Sequence, residues 1–239
     1  MNTTHNVRQT FVEKLLDRDF VIDKSGVKTL EMMGSSFLVD DDNIFGDVNH
    51  DYVERELSWY MSQSLYVKDI PPPVPAIWQQ VASKDGKINS NYGYLIYSRD
   101  NFNQYYNVLK ELQENPNSRR AIMIYTRPSI HDEYDTDGMS DFICTNTVQY
   151  FVRDGQVDAV VNMRSNDAIF GFRNDYAWQR KVLDDLAEAL GLYAGYIFWQ
   201  TGSLHIYERH FYMVHHYSVT GETSITKAEA DEIYGDLTF

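Results

Sequence analysis

Residues 148–164 read VQYFVRDGQVDAVVNMR, and this stretch decides the architecture. Two runs rich in β-branched and aromatic residues, VQYFVR and QVDAVVNMR, flank Asp154-Gly155, a dipeptide that favours the positive φ angles of a tight hairpin turn. Ala121 to Arg127 (AIMIYTR) upstream reads as a further strand. Downstream, Asn174 to Leu190 has helical spacing and a stop at Gly191, with Asn174 read as its N-cap. Tyr193 to Tyr207 returns to a strand pattern, and Glu208 to Val219 reads as a helix. Nearer the N-terminus, VIDKSGVKTLEMMGSSFLV (21–39) reads as strand, turn, strand with the bend at Lys24-Ser25-Gly26. Asp51 to Leu65 carries Val53, Leu57, Tyr60 and Met61 at helical spacing behind an Asp51 N-cap. Asn101 to Glu114 is a second such helix, closed by Asn115-Pro116. Strands and helices intermix without regular alternation, which predicts an α+β fold: a mixed sheet with helices packed against it. The Pro71-Pro72-Pro73 cluster with Pro75 makes an extended connector too short for a domain linker, so residues 1–239 are read as one domain.

The composition narrows the function. With 35 Asp+Glu against 21 Lys+Arg the formal charge is −14, so no general positive field is available to hold nucleic acid or an anionic membrane surface. Hydrophobic residues at 43% support a substantial core,. One cysteine in 239 residues excludes an internal disulfide and a four-cysteine zinc site, and fits a reducing cytoplasm,. The stretch MNTTHNVRQT lacks the basic-then-apolar pattern of a signal peptide, and no window has the run of apolar residues a membrane span needs. The expectation is a soluble cytoplasmic protein that binds any anion in a local pocket.

Several residues carry candidate chemistry. Cys144, the lone thiol, reads either as a small buried hydrophobe beside Phe142 and Ile143 or, given a nearby cation, as a nucleophile. Arg119-Arg120 precedes a strand and Arg164-Ser165 follows one. Either pair alone reads as surface charge, but two such pairs in so acidic a chain point to anion sites. His205 and Tyr207 alternate on a strand and share a face, where they can bind a sugar hydroxyl or satisfy one another. Glu56 sits mid-helix, either as a partly buried acid/base group, as a partner of Arg55, or facing solvent. The seven histidines show no metal-ligand spacing, and His215-His216 read as capping or solvent-facing,. Composition and spacing end at an anion-binding α/β protein with a candidate cysteine nucleophile.

An ordered set of motifs goes further: DKSGVKT, REL, IWQQVA, NSRRAIMIYTRP, the Cys144 segment ending at Gln149, MRSNDAIFGFRNDYAWQ and GSLHIYERH. Together they resemble the thymidylate synthase family along nearly the whole chain, and most of all its phage branch that hydroxymethylates deoxycytidylate. Beyond about Thr220 no motif matches. The resemblance implies the family's large twisted mixed sheet, flanked by helices, in a sheet-to-sheet homodimer. It implies that Cys144 attacks C6 of a pyrimidine nucleotide, and that Arg164 and Ser165 bind the 5′-phosphate. Arg119 and Arg120 would reach it from across the dimer. Lys24 falls where synthases place an arginine in the phosphate loop, keeping the charge without the bidentate fork. By the same resemblance His205 and Tyr207 would hold the deoxyribose 3′-hydroxyl, Asp167 and Trp78 would bind folate, and Glu56 would organise water around the base.

Two departures inform the substrate. Asp175 stands where synthases carry an asparagine that reads uracil. Cytosine offers an N3 acceptor and an amino donor, which a carboxyl group complements and an amide does not. Ile143-Cys144-Thr145-Asn146 stands where synthases have Pro-Cys-His. The resemblance therefore implies conversion of dCMP to 5-hydroxymethyl-dCMP with 5,10-methylenetetrahydrofolate and water, without a metal, in the cytoplasm (of the host, if a phage encodes the chain). Other nucleotide-synthesis enzymes remain open as partners. Thymidylate synthase, dUMP hydroxymethylase and a non-catalytic nucleotide-binding component are the alternatives.

Overall fold

The computed structural model describes residues 1–235, Leu237 and Phe239. In chain order its elements are α1 (Thr4–Leu16), β1 (Val21–Ile22), β2 (Lys28–Leu38), α2 (His50–Ser62), α3 (Ala76–Val81), α4 (Tyr92–Tyr97), α5 (Gln104–Glu114), β3 (Ile122–Ile124), α6 (Ile130–Glu133), β4 (Thr145–Arg153), β5 (Gln156–Asp167), α7 (Gly171–Leu190), β6 (Tyr193–Tyr207), α8 (Phe211–Thr220) and α9 (Lys227–Tyr234). The Asp154-Gly155 turn joins β4 to β5, with both residues at positive φ.

The strands form one sheet in the order β1-β2-β6-β5-β4-β3. Its antiparallel pairs are β1–β2, β2–β6, β3–β4 and β4–β5. Strands β5 and β6 run parallel through the α7 crossover: Gly195 lies against Asp158, and seven residues on, Gly202 lies against Arg164,. The sheet is therefore mixed and the fold α+β, as the strand spacing predicts. The chain divides into two compact units, residues 1–48, 164–179 and 197–239 in the first and residues 49–163 and 180–196 in the second.

In the first unit α1 buries Val7, Phe11, Val12 and Leu15 and packs on β2 and α8. Arg8 on the same face is buried too, and its guanidinium donates to the carbonyls of Ile44 (2.6 Å) and Asn43 (2.7 Å) and to Asp41. The helix is thereby stapled to the loop after β2. Phe172 is fully buried, meeting Phe37 at a tilt and Trp199 edge-on. His216 is buried and bonds the Tyr234 hydroxyl at 2.8 Å, so it joins α8 to α9 rather than facing solvent as its sequence position led us to expect.

In the second unit the β3–β4–β5 register separates two faces. Met123, Val148 and Val161 share an inner rung and are fully buried. Ile122, Gln149 and Val160 share an outer rung, and Ile124, Thr147 and Asn162 the next. Helices α2 and α4 pack together, with Tyr60 and Tyr92 stacked at 5.2 Å.

Strand β3 is shorter than the predicted Ala121–Arg127, α5 starts at Gln104 and not Asn101, α2 ends at Ser62 and not Leu65, and three helix starts differ from the sequence reading. Helix α2 is capped by Asn49, whose side chain accepts from the Tyr52 amide, and not by Asp51. Helix α7 starts at Gly171, so Asn174 lies inside its first turn and is no cap. The last predicted helix opens as a 3-10 turn, Glu208–His210, before α8. In each case a nearby polar group or turn satisfies the orphaned amides one or a few residues away from the expected cap.

One close approach sets the α2–α4 packing. A Cβ added to Gly93 would lie 1.8 Å from the Tyr60 carbonyl oxygen, which is backbone and cannot swing aside. Gly93→Ala should therefore destabilise the chain by at least about 2 kcal/mol in urea unfolding, although alanine is intrinsically the better helix former by about 1 kcal/mol.

Candidate active site

Cys144 lies between β4 and a segment pinned by a buried carboxylate. Asp141 accepts from the Asn89 amide (2.7 Å), the Ser90 amide (2.8 Å) and the Ser90 hydroxyl (2.6 Å), and its own carbonyl accepts from the Asn89 side chain. Ile143 and Thr145 on either side of the cysteine are fully buried, while Cys144 itself is partly exposed. A register shift between Thr145 and Thr147 bulges the strand here, and the Asn146 side chain donates to Asn162 at 2.9 Å,. The thiol is thus held in a fixed frame and is not fully buried. Thr145 pairs with Met163, and Arg164 follows Met163 directly along β5.

Glu56 is buried on α2, and its carboxyl accepts a short hydrogen bond from the Tyr52 hydroxyl one helical turn earlier. The Trp78 indole N–H donates to that same hydroxyl at 3.1 Å. Burial pushes the Glu56 carboxyl up to about 7, and the polar groups of Tyr52, Trp78 and Tyr60 pull it back only in part,. Arg55 is not its partner: the guanidinium pairs with Asp51 at 3.1 Å and donates to the carbonyls of Pro71 and Pro73. Trp78 is half-buried, meets Trp59 edge-on, and follows the exposed Ile77. Arg119 and Arg120 are exposed just before β3. Arg120 pairs with Glu111 at 3.0 Å, and the Gln149 side chain donates to the Arg119 carbonyl.

The first unit holds the other candidates. Lys24 is exposed at the tip of a turn built by Asp23, whose carboxylate accepts from Ser25 and Val27 and is held below the usual carboxylate range by those bonds. Arg164 and Ser165 lie near the end of β5. Asp167 caps the turn into α7, accepting from the amides of Ile169 (3.0 Å) and Phe170 (3.3 Å). Asp175, in the first turns of α7, accepts from the Asn166 amide group at 2.8 Å. The rings of His205 and Tyr207 meet edge-on at 5.0 Å, and the Ser203 hydroxyl lies between Glu31 and the His205 ring. His205 faces Glu31 across the β2–β6 ladder.

Each candidate thus lies in a defined local frame: Glu56 with Trp78 through Tyr52, Asp175 with Asn166, and His205 with Tyr207. The sequence reading passed over Tyr52 and Asn166. Tyr52 was recoverable, because a residue four before a helical glutamate shares its face. Asn166 carried no such signal, since its contact with a residue nine positions on depends on the β5–α7 turn. Among the described residues no group of three or more His, Cys, Asp or Glu is placed to hold a metal ion, and no helix is long and apolar enough to cross a membrane.

The thymidylate synthase family model matches residues 18–225, and the chain belongs to that family. It is 57% identical over 234 residues, 95% of each chain, to the deoxycytidylate 5-hydroxymethyltransferases of Enterobacteria phage T4 and Enterobacteria phage T6. It is 25% identical over 172 residues, 68% of this chain and 63% of the other, to the thymidylate synthase of Francisella tularensis subsp. holarctica.

The Glu56 environment has a measurable consequence. Its raised value means that the folded chain keeps a proton which the unfolded chain releases above about 4.5. The associated stability is present at low pH and is lost as pH rises through about 7,. Glu56→Gln should flatten that decline, so that between pH 5 and 8 the wild type loses up to about 3 kcal/mol relative to the variant in urea unfolding.

Proposed function

We propose that this chain transfers a one-carbon unit to C5 of dCMP and adds water, giving 5-hydroxymethyl-dCMP, within one thymidylate synthase-like catalytic domain. The observation that carries the reading is the identity to phage deoxycytidylate 5-hydroxymethyltransferases along 95% of both chains. The carboxyl group of Asp175 supports a cytosine substrate. A carboxylate accepts from the exocyclic amino group and can share a proton at N3, whereas uracil would set its O4 acceptor against it.

The residues take the following roles. Arg164, Ser165 and Lys24 hold the 5′-phosphate, and Arg119 and Arg120 serve the phosphate site of a partner copy. His205 and Tyr207 hold the 3′-hydroxyl. The Cys144 thiolate forms a bond to C6, opening the C5–C6 double bond so that C5 becomes the nucleophile. 5,10-Methylenetetrahydrofolate supplies the one-carbon unit and leaves as tetrahydrofolate. The flat surface of Trp78 beside the exposed Ile77 suits a fused heteroaromatic ring, with Asp167 as its polar contact. Once the C5 proton is lost, a water oxygen bonds to the exocyclic carbon and the Cys144–C6 bond breaks. Glu56 holds and moves protons at that water, a task that a carboxyl titrating at about 7 is poised for,.

The outer rungs of the second unit support a homodimer formed sheet to sheet. Ile122 and Ile124 are exposed there, on a face whose opposite side is closed by the core,. Sheet-to-sheet association would cover them and bring Arg119 and Arg120 to the partner.

Incubation with methylenetetrahydrofolate and either dCMP or dUMP, followed by mass spectrometry, should add CH2O to dCMP and release tetrahydrofolate. Addition of CH2 to dUMP with release of dihydrofolate would refute the reading. Cys144→Ser should abolish product while dCMP still binds in calorimetry. Ile124→Glu should convert a dimer into a monomer in analytical ultracentrifugation and lower activity at least tenfold; a monomeric wild type would overturn the dimer.

A further inference from the structure

We propose that Asn166 is a positioning residue for base selectivity: its side-chain amide fixes the orientation of the Asp175 carboxylate and so enforces the choice of a cytosine over a uracil nucleotide. The inference rests on the reading of Asp175 given above.

Asn166 is 3% exposed, near the end of β5. Its Nδ2 donates to Asp175 Oδ2 at 2.8 Å. A carboxylate can only accept this bond, so the amide is oriented and Oδ1 must point elsewhere. That Oδ1 is buried and has no hydrogen-bond partner. A buried acceptor left without a donor is a net cost. Stability would be served better by an apolar side chain of similar volume, so the asparagine is accounted for by the one bond it makes. Its neighbours fix it further. Ala168 and Ile169 are fully buried, and Asp167 closes the turn into α7 through two backbone amides.

The space around the pair is equally specified. A Cβ added at Gly171 would come 3.2 Å from Asn166 Nδ2 and 3.8 Å from Asp175 Oδ2. The first residue of α7 is thus one that leaves room for the amide to reach the carboxylate.

The effect on selectivity follows from rotation. A carboxylate on a short side chain turns easily about its terminal bond. Turned away, it would no longer set an acceptor against O4 of uracil, and discrimination would fall. With Oδ2 anchored to the end of a strand, the edge offered to the base is constant, and a mismatched base meets an unrelieved polar clash. A neutral amide does this without cancelling the carboxylate charge, as a lysine or arginine would.

The test separates shape from hydrogen bonding. Dissociation constants for dCMP and dUMP would be measured by calorimetry, and kcat/KM for dCMP by product formation, on wild type, Asn166→Asp, Asn166→Leu, Gly171→Ala and Asp175→Asn. Asn166→Asp keeps the shape but replaces the donor with an acceptor, and Asn166→Leu keeps the bulk without either. We expect both to lower the dUMP/dCMP ratio of dissociation constants by about tenfold or more, with thermal midpoints near that of the wild type. Gly171→Ala should shift the ratio in the same direction. A ratio unchanged within about twofold in Asn166→Asp and Asn166→Leu, while Asp175→Asn shifts it, overturns the positioning role alone. An unchanged ratio in Asp175→Asn removes the reading of Asp175, and the role of Asn166 falls with it. Weaker binding of both nucleotides by the same factor also overturns the proposal, because a merely structural residue would act that way.

Discussion

A single buried carboxylate organises the surroundings of Cys144. Asp141 takes three donors from Asn89 and Ser90, and those residues lead directly into Asn91, the cap of α4. The Asn91 side chain in turn donates to the carbonyls of Trp59 and Ser64 at the end of α2. One chain of hydrogen bonds therefore runs from the helix that carries Glu56 to the segment that carries Cys144. Without Asp141 three buried donors would lose their acceptor together, a heavier loss than any one surface contact represents. The distance between α2 and the Cys144 segment is thereby set by backbone and short polar side chains, which have few rotamers to lose.

Much of the fold was legible because its signals are local. The DG turn fixes the β4–β5 hairpin, Gly191 at positive φ ends α7, and the strand pattern of β6 holds over its full span, Tyr193–Tyr207. The elements that escaped are of two kinds. Helices α3, α4 and α6 have only four to six residues, too few for a 3.6-residue period to emerge, and they are held by tertiary packing. Helices α1 and α9 are long enough, yet polar residues dilute their apolar faces; α9 was signalled only by the Thr226–Glu229 capping box,.

The site divides in the same way. Residue types named Cys144, the arginine pairs, His205, Tyr207 and Glu56, since a lone thiol, paired arginines and a mid-helix glutamate each have few uses, whereas Lys24, Trp78, Asp167 and Asp175 came only from the family resemblance. What the sequence could not supply was which neighbour each one takes. Glu56 stood next to Arg55 in the chain, but on a helix adjacent residues point apart, and Tyr52 is the partner instead,. Asp167 emerged with both oxygens on backbone amides, a local structural task alongside the role in folate binding that the resemblance gives it. Such assignments depend on turns and caps whose geometry varies within a residue or two, the least legible part of any sequence.

The first unit is assembled from three separate stretches of chain. Its β2 strand pairs with β6, and the Glu31–Ser203 hydrogen bond joins residues 172 positions apart. On a ribosome adding about 5–20 residues per second, β2 therefore waits on the order of ten to thirty seconds for its partner to be made. Throughout that interval an eleven-residue strand leaves the ribosome with an unsatisfied edge,. Gly34, at positive φ in its middle, interrupts the regular extended backbone that another nascent chain would need as a template. The strand made early and paired late thus carries, in Gly34, the residue on which its safe passage through synthesis depends.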